Sequence, residues 1–179
     1  MTEMGPGRLW SKRIIFALLV CGILFFNLLP LDMAPTAWVG PDLLLAFAFA
    51  WSTRRPEFVP ILALASLFLL ADLLLQRPPG LWALCALLAC ERLKTRARSV
   101  SELSFAGEWM SAAVAATVVI IGYRLVLAVT LVPLPPLSLM VIELMMTILF
   151  YPVAVVITQW GLGVKRLGPG DFDRSGGKL

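Results

Sequence analysis

The chain has 179 residues, of which 60% are apolar and only 15% are charged, and its formal net charge is +4. Soluble domains carry roughly 25% charged residues, so this composition, with a mean hydropathy of +0.90, excludes a soluble globular enzyme and indicates a lipid environment. There is no His, and the three Cys all lie inside apolar runs, so neither a disulfide framework nor a zinc site is expected.

Six apolar runs follow one another along the chain, separated by charged segments or by segments rich in Pro and Gly. They cover residues 14–31, 38–51, 58–75, 81–90, 109–132 and 137–162. Each run predicts a helix, and a helix that spans a bilayer needs about 20 apolar residues. The second and fourth runs have only 14 and 10 residues, a length that is also typical of re-entrant or interfacial segments.

The first run follows a basic start, as in a secretory signal peptide, but it is too long and no small-residue cleavage site follows it. We therefore expect it to remain as the first transmembrane helix. The predicted fold is an all-α polytopic membrane protein. It comprises a cytoplasmic N-terminal segment (1–13), a six-helix transmembrane domain (14–163) and a disordered cytoplasmic tail (164–179).

Lys and Arg predict the orientation, because cytoplasmic loops retain them. With six spans and both termini in the cytoplasm, every Lys and Arg except Arg77 and Arg124 falls on the cytoplasmic side. A four-span model without the two short runs would place Arg54 and Arg55 outside. The expected cytoplasmic basic face, which would meet anionic lipid or an acidic partner, consists of Arg54, Arg55, Arg92, Lys94, Arg96 and Arg98.

Several polar side chains lie inside the apolar runs, where a charge costs about 2.5–3.5 kcal/mol on insertion scales. They are Asp42, Asp72, Arg124, Glu143 and Asn27. At ~1.5 Å per residue, all five fall at one level in the outer third of the membrane. We expect a polar cluster that faces the bundle interior, with an ion pair between Arg124 and Glu143. Alternatively, Asp42, Asp72 and Arg124 simply reach the outer interface.

No chemistry-bearing motif accompanies these residues. The sequence contains no Walker loop and no GxGxxG, HExxH or GxSxG pattern, and no nucleophile–base pair. An enzyme, a cofactor and a nucleic-acid partner are therefore not expected, whereas a ligand-coupled transporter stays open. The tryptophans lie near the run ends, as in interfacial belts.

Three segments carry a family resemblance through their order and spacing. They are residues 40–44 (GPDLL), residues 69–74 (LLADLL) followed by 79–84 (PGLWAL), and residues 149–152 (LFYP). Together with the size and the run pattern, they resemble the MreD family of bacterial rod-shape-determining membrane proteins. One departure is that the family commonly has Ser-Gly soon after the third-span Asp, where this chain has Leu75-Gln76-Arg77.

The resemblance implies a non-enzymatic inner-membrane scaffold that supports cell shape, cell-wall organisation and side-wall peptidoglycan synthesis. It implies that the protein binds MreC and works beside MreB filaments, RodZ, a SEDS-type glycosyltransferase and a class B penicillin-binding protein. The small residues 111–116 (SAAVAA) would permit close approach of a partner helix. The family is also similar in fold to the substrate-binding subunits of energy-coupling-factor transporters. The alternative is therefore a small-molecule binding or transport subunit with an outward-facing polar pocket.

Overall fold

The computed structural model describes residues 6–29, 40–99 and 104–164, and every regular element in these ranges is helical. The α-helices are α1 (Pro6–Leu28), α2 (Leu43–Arg54), α3 (Ile61–Leu74), α4 (Leu81–Ser99), α5 (Phe105–Val129) and α6 (Leu137–Val156). A 3₁₀ turn (Pro56–Phe58) precedes α3, and a π-helical turn (Ile157–Gly161) extends α6. The all-helical fold is confirmed. The predicted N-terminal segment is helical from Pro6 onward, while residues 1–5 and the tail from residue 165 lie outside the described residues.

Three of these helices are long and apolar enough to cross a membrane. They are Gly7–Leu28 with 22 residues, Phe105–Val129 with 25 and Leu137–Gly161 with 25. In contrast, α2 has 12 residues and α3 has 14, which gives lengths of about 18 and 21 Å against a ~30 Å hydrocarbon core. The chain is therefore a helical protein with three candidate membrane spans, packed with shorter apolar helices.

The short helix α2 occupies the centre of the bundle. Residues 44–52 are all buried, and α2 packs against α1, α4, α5 and α6. Its Trp51 is fully buried, with ring centroids 5.1 Å from Phe16 and 6.3 Å from Phe58. A helix that is apolar on every side belongs inside a protein or a membrane. Here the neighbouring helices, rather than lipid, surround it.

The tryptophans only partly follow the interfacial pattern. Trp10 and Trp160 are 63% and 83% exposed, whereas Trp51 and Trp82 are buried. Trp51 ends the central helix, and Trp82 packs edge-on against Tyr123 with the ring centroids 5.1 Å apart. The interfacial prediction is thus wrong for these two buried residues, because a position near the end of an apolar run does not show which way a side chain points.

The small residues of α5 serve contacts within the chain. Ser111, Ala112 and Ala116 are buried, and α5 packs against α4 and α6. Small side chains let helices approach closely, and this chain uses them between its own helices. The expectation that residues 111–116 receive a partner helix is therefore wrong for these three side chains.

Candidate functional site

The three carboxylates singled out in the sequence lie at one end of the bundle, which we call the acidic end (Asp42, Asp72 and Glu143). Asp42 is the N-cap of α2, where its Oδ1 accepts a hydrogen bond from the backbone N–H of Leu45 at 2.9 Å. Its own backbone N–H donates to Thr147 Oγ1 at 2.8 Å, and that hydroxyl donates to the carbonyl of Glu143 at 2.7 Å. Asp42 therefore both starts α2 and ties it to α6.

Asp72 closes the connection between α3 and α4. The side chain is fully buried, and its Oδ2 accepts from the backbone N–H groups of Gly80 at 2.9 Å and Ala83 at 3.1 Å. Gly80 has a φ of +84°, a left-handed conformation that favours glycine. Asp72 thus satisfies N–H groups at the start of α4 that have no partner within the helix. Its Oδ1 is buried without a hydrogen-bond partner among the described residues.

Arg77 is the cation of the acidic end. Its Nη1 lies 3.9 Å from Asp42 Oδ2, and its guanidinium carbon lies 4.8 Å from the centroid of the Trp82 ring. In the sequence, Arg77 stands out only as an exception to the positive-inside pattern. The signal that could have found it is its position, because it is the only cation in a loop expected beside two aspartates.

Arg124 and Glu143 do not form the predicted ion pair. Arg124 Nη1 instead donates to the carbonyl of Pro135 at 2.9 Å and lies 3.2 Å from Met140 Sδ. The long side chain reaches the loop between α5 and α6, where a carbonyl is available. Glu143 is only half-buried, and Asn27 is exposed on α1. The prediction that Asn27 faces the bundle interior is also wrong.

Among the described residues, the most buried charge cluster lies at the opposite end of the bundle, and no sequence pattern singled it out. Arg54 and Glu108 are only 7% and 3% exposed, with Nε–Oε1 at 3.0 Å and Nη2–Oε2 at 3.4 Å. Glu108 Oε1 also accepts from Tyr151 at 3.2 Å and from Thr53 at 3.4 Å, and Arg54 donates to Gln159 at 2.8 Å. This Arg54–Glu108 network joins the end of α2, the start of α5 and the end of α6.

We call this end the basic end (Lys12, Arg13, Arg54 and Lys94). Its cations other than Arg54 donate to backbone carbonyls. The pairs are Lys12 with Leu162 at 2.6 Å, Arg13 with Glu57 at 3.3 Å and Lys94 with Val59 at 2.6 Å. These carbonyls lie in or beside short helical turns, where intrahelical partners run out. The cations therefore fasten the ends of neighbouring elements to one another.

The predicted cytoplasmic basic face is consequently smaller than expected. Arg54 is buried in the network, and Lys94 is 3% exposed with a second bond to Glu91 Oε1 at 2.6 Å. Arg55 is half-buried and pairs with Glu57 at 3.0 Å. The predicted members of this face that are exposed are Arg92, Arg96 and Arg98.

A proline inside α6 is compensated by a side chain of α5. Pro152 has no N–H, so the carbonyl of Ile148, four residues earlier, has no helical donor. Trp109 Nε1 donates to that carbonyl at 2.9 Å. The adjacent Tyr151 donates to Glu108. Two consecutive residues of α5, Glu108 and Trp109, therefore hold this part of α6.

The fold and these contacts define an all-helical protein with three candidate membrane spans, whose buried polar groups mainly connect one helix to another. Among the described residues, no group of three or more His, Cys, Asp or Glu side chains is placed to hold a metal ion. Comparison with protein-family models, with curated proteins and with solved structures gives no match.

Proposed function

We propose that the chain is a non-enzymatic scaffold of the bacterial cell-elongation complex, similar to MreD, that binds MreC in the inner membrane. The observation that supports this proposal is the role of the three segments that carry the resemblance. Each segment contributes a polar residue that ties two helices together, Asp72 and Tyr151 through their side chains and Asp42 through its backbone N–H. In a scaffold, such ties keep the surface that meets a partner in a fixed shape.

The three ties are distributed along the bundle. The backbone N–H of Asp42 joins the start of α2 to Thr147 of α6, and the Asp72 carboxylate joins α3 to α4. Tyr151 joins α6 to α5 through Glu108. These residues serve backbone groups and other side chains of the same chain, which favours a structural role over a convergent reaction site.

The proposed topology has six membrane-crossing helices with both termini in the cytoplasm. It is supported by the gathering of cations at the basic end, which contains the start of α1, the ends of α2 and α6 and the start of α5. Placing this end in the cytoplasm agrees with the positive-inside rule. The buried helix α2 would cross within a shell of longer helices. The helix α3 exposes Leu62 and Leu73, so it would meet lipid directly, with local thinning of the bilayer.

Cysteine labelling tests this orientation. In a background from which Cys21, Cys85 and Cys90 have been removed, Arg98→Cys and Leu134→Cys supply one exposed thiol at each end of the bundle. A membrane-impermeant maleimide should label Leu134→Cys in intact spheroplasts and Arg98→Cys only after permeabilisation. Labelling of Arg98→Cys in intact spheroplasts would contradict the proposed orientation.

Binding to MreC is tested by co-purification. The full chain, tagged and extracted in mild detergent, should retain the MreC encoded in the same genome. Asp72→Ala should reduce the recovery of MreC and the rod shape of the cells, because it loosens the α3–α4 connection. Ser66→Ala, at an exposed position of the same helix, is the matched control. A chain that never retains MreC, while related proteins do, would contradict the assignment.

A small-molecule binding or transport subunit is the second candidate. The observation that favours it is Asp72 Oδ1, a buried carboxylate oxygen without a hydrogen-bond partner among the described residues, which could accept a bond from a ligand. The test is a binding isotherm: saturable uptake or binding of a small molecule that is lost in Asp72→Ala would favour this candidate.

A further inference from the structure

A cavity of about 420 Å³ lies between α4 and α5. One end is formed by Cys85 and Gly122, where a Cβ added to the glycine would lie in ordinary van der Waals contact with the Cys85 Sγ, at 3.9 Å. The other end is formed by Arg92, Arg96 and Ser111, and the walls between are apolar. The cavity contains none of the residues of the acidic end.

The dimensions of this cavity match one leaflet of a bilayer. Along α4 it extends from Cys85 to Arg96, which is about 16 Å at 1.5 Å per residue. Half of a ~30 Å hydrocarbon core is about 15 Å. An apolar chain that lies along the cavity therefore reaches from the middle of the bilayer to its surface, where the two arginines are placed.

The two arginines have no ion-pair partner among the described residues, in contrast to Arg54 and Lys94 at the same end of the bundle. They are four residues apart, so both side chains lie on one face of α4. Arginine binds phosphate oxygens through paired hydrogen bonds. The exposed charge at the mouth of the cavity is thus complementary to an anionic phosphate group.

We propose that the cavity between α4 and α5 binds one acyl chain of an anionic phospholipid, whose headgroup phosphate is held by Arg92 and Arg96. A phospholipid combines the two chemistries that the cavity presents, an apolar chain of leaflet length and a negative charge at its surface end. A transmembrane helix of another protein fits less well, because it would need an acidic residue opposite the arginines. This proposal depends on membrane insertion and is independent of MreC binding.

Native mass spectrometry of the full chain in detergent tests the headgroup contact. Phosphatidylglycerol should bind more tightly than phosphatidylcholine with the same acyl chains. The double variant Arg92→Gln/Arg96→Gln should lose about 30-fold in affinity for phosphatidylglycerol, because each arginine near an anionic lipid surface contributes roughly fivefold. Arg98→Gln, exposed on the same helix but outside the cavity, is the control. Equal retention of phosphatidylglycerol by the double variant and the parent would overturn the proposal.

Filling the cavity tests the acyl chain contact. Ala115→Leu should weaken phosphatidylglycerol binding although both arginines are intact, and Val118→Trp provides the same test at a position that is 63% exposed and tolerates a larger side chain. Gel filtration and thermal unfolding show whether each variant is folded. If folded variants bind phosphatidylglycerol as the parent does, the lipid does not enter the cavity and the proposal is wrong. A photo-crosslinker at Val118 that captures a polypeptide instead of lipid in intact membranes would also refute it.

Discussion

Replacement of Glu108 by Gln would leave the Arg54 guanidinium buried without a neutralising carboxylate. The pair is held at 3.0 Å with both side chains less than a tenth exposed. Removal of one partner of a buried ion pair typically costs about 3–5 kcal/mol, chiefly because the other charge stays desolvated. Gln keeps one acceptor oxygen for Arg54 and Tyr151, so we expect the free energy of unfolding to fall by about 3 kcal/mol, the lower end of that range.

A second ion pair, with the same N–O distance, provides a matched control. Arg55 and Glu57 also have an Nη1–Oε1 distance of 3.0 Å, but Glu57 is 38% exposed. Solvent-exposed ion pairs contribute about 0–1 kcal/mol, so Glu57→Gln should change the stability by less than about 1 kcal/mol. The two substitutions remove the same group from the same distance, and they differ in the exposure of the pair.

Reversible denaturation in mixed micelles, followed by tryptophan fluorescence, measures both values. The double variant Arg54→Met/Glu108→Gln removes both charges, and its loss of stability should be at least about 1 kcal/mol smaller than the sum of the single losses. If Glu108→Gln and Glu57→Gln lower the stability equally, or if the double variant is additive, Arg54 is not desolvated in the bundle and the argument is refuted.

Three further predictions concern the ties between helices and use the same denaturation assay. Trp109→Phe should cost about 1–3 kcal/mol because the carbonyl of Ile148 loses its donor. This cost should shrink in a Pro152→Ala background, where residue 152 regains its N–H, and an unchanged cost would contradict the explanation. Asp72→Ala should cost about 3 kcal/mol because two buried N–H groups lose their acceptor, and Asp72→Asn should cost less because it keeps an acceptor oxygen. Gly80→Ala should cost about 1–2 kcal/mol because of its left-handed conformation, and a neutral result would show that the turn adjusts.

Much of the fold could be predicted from the pattern of apolar runs. Each run overlaps one helix, although α1, α2, α4 and α5 extend beyond their runs into charged segments. Several helix boundaries follow local signals such as the Asp42 cap, Pro60 before α3 and Pro136 before α6. These signals work because they act through neighbouring backbone groups. The two aspartates could also be singled out from the sequence, because a charged residue inside an apolar run is visible without knowledge of tertiary contacts.

The Arg54–Glu108 network could not be predicted in this way. Glu108 lies outside the strictly apolar runs, and Arg54 lies in a charged segment, so each has the sequence context of a solvated residue. Their burial comes from the central position of α2, whose end meets the first turn of α5. The central position of α2 is set by how all the helices pack together. The spacing of residues within one apolar run does not predict that packing.

The basic end also changes what the positive-inside pattern means in this chain. Lys12, Arg13 and Lys94 donate to carbonyls of neighbouring elements, while Arg54 neutralises a buried carboxylate. Because an unsatisfied backbone group is costly near hydrocarbon, a cation beside a helix end stabilises the fold, and this role is separate from the orientation that the positive-inside rule predicts. Cations used in this way are not available to a partner or to lipid, so among the described residues the exposed positive charge of this end comes from Arg8 on α1 and from the exposed arginines of α4. Counting Lys and Arg therefore predicts an orientation, but among the described residues it overestimates the positive charge that this end of the bundle exposes.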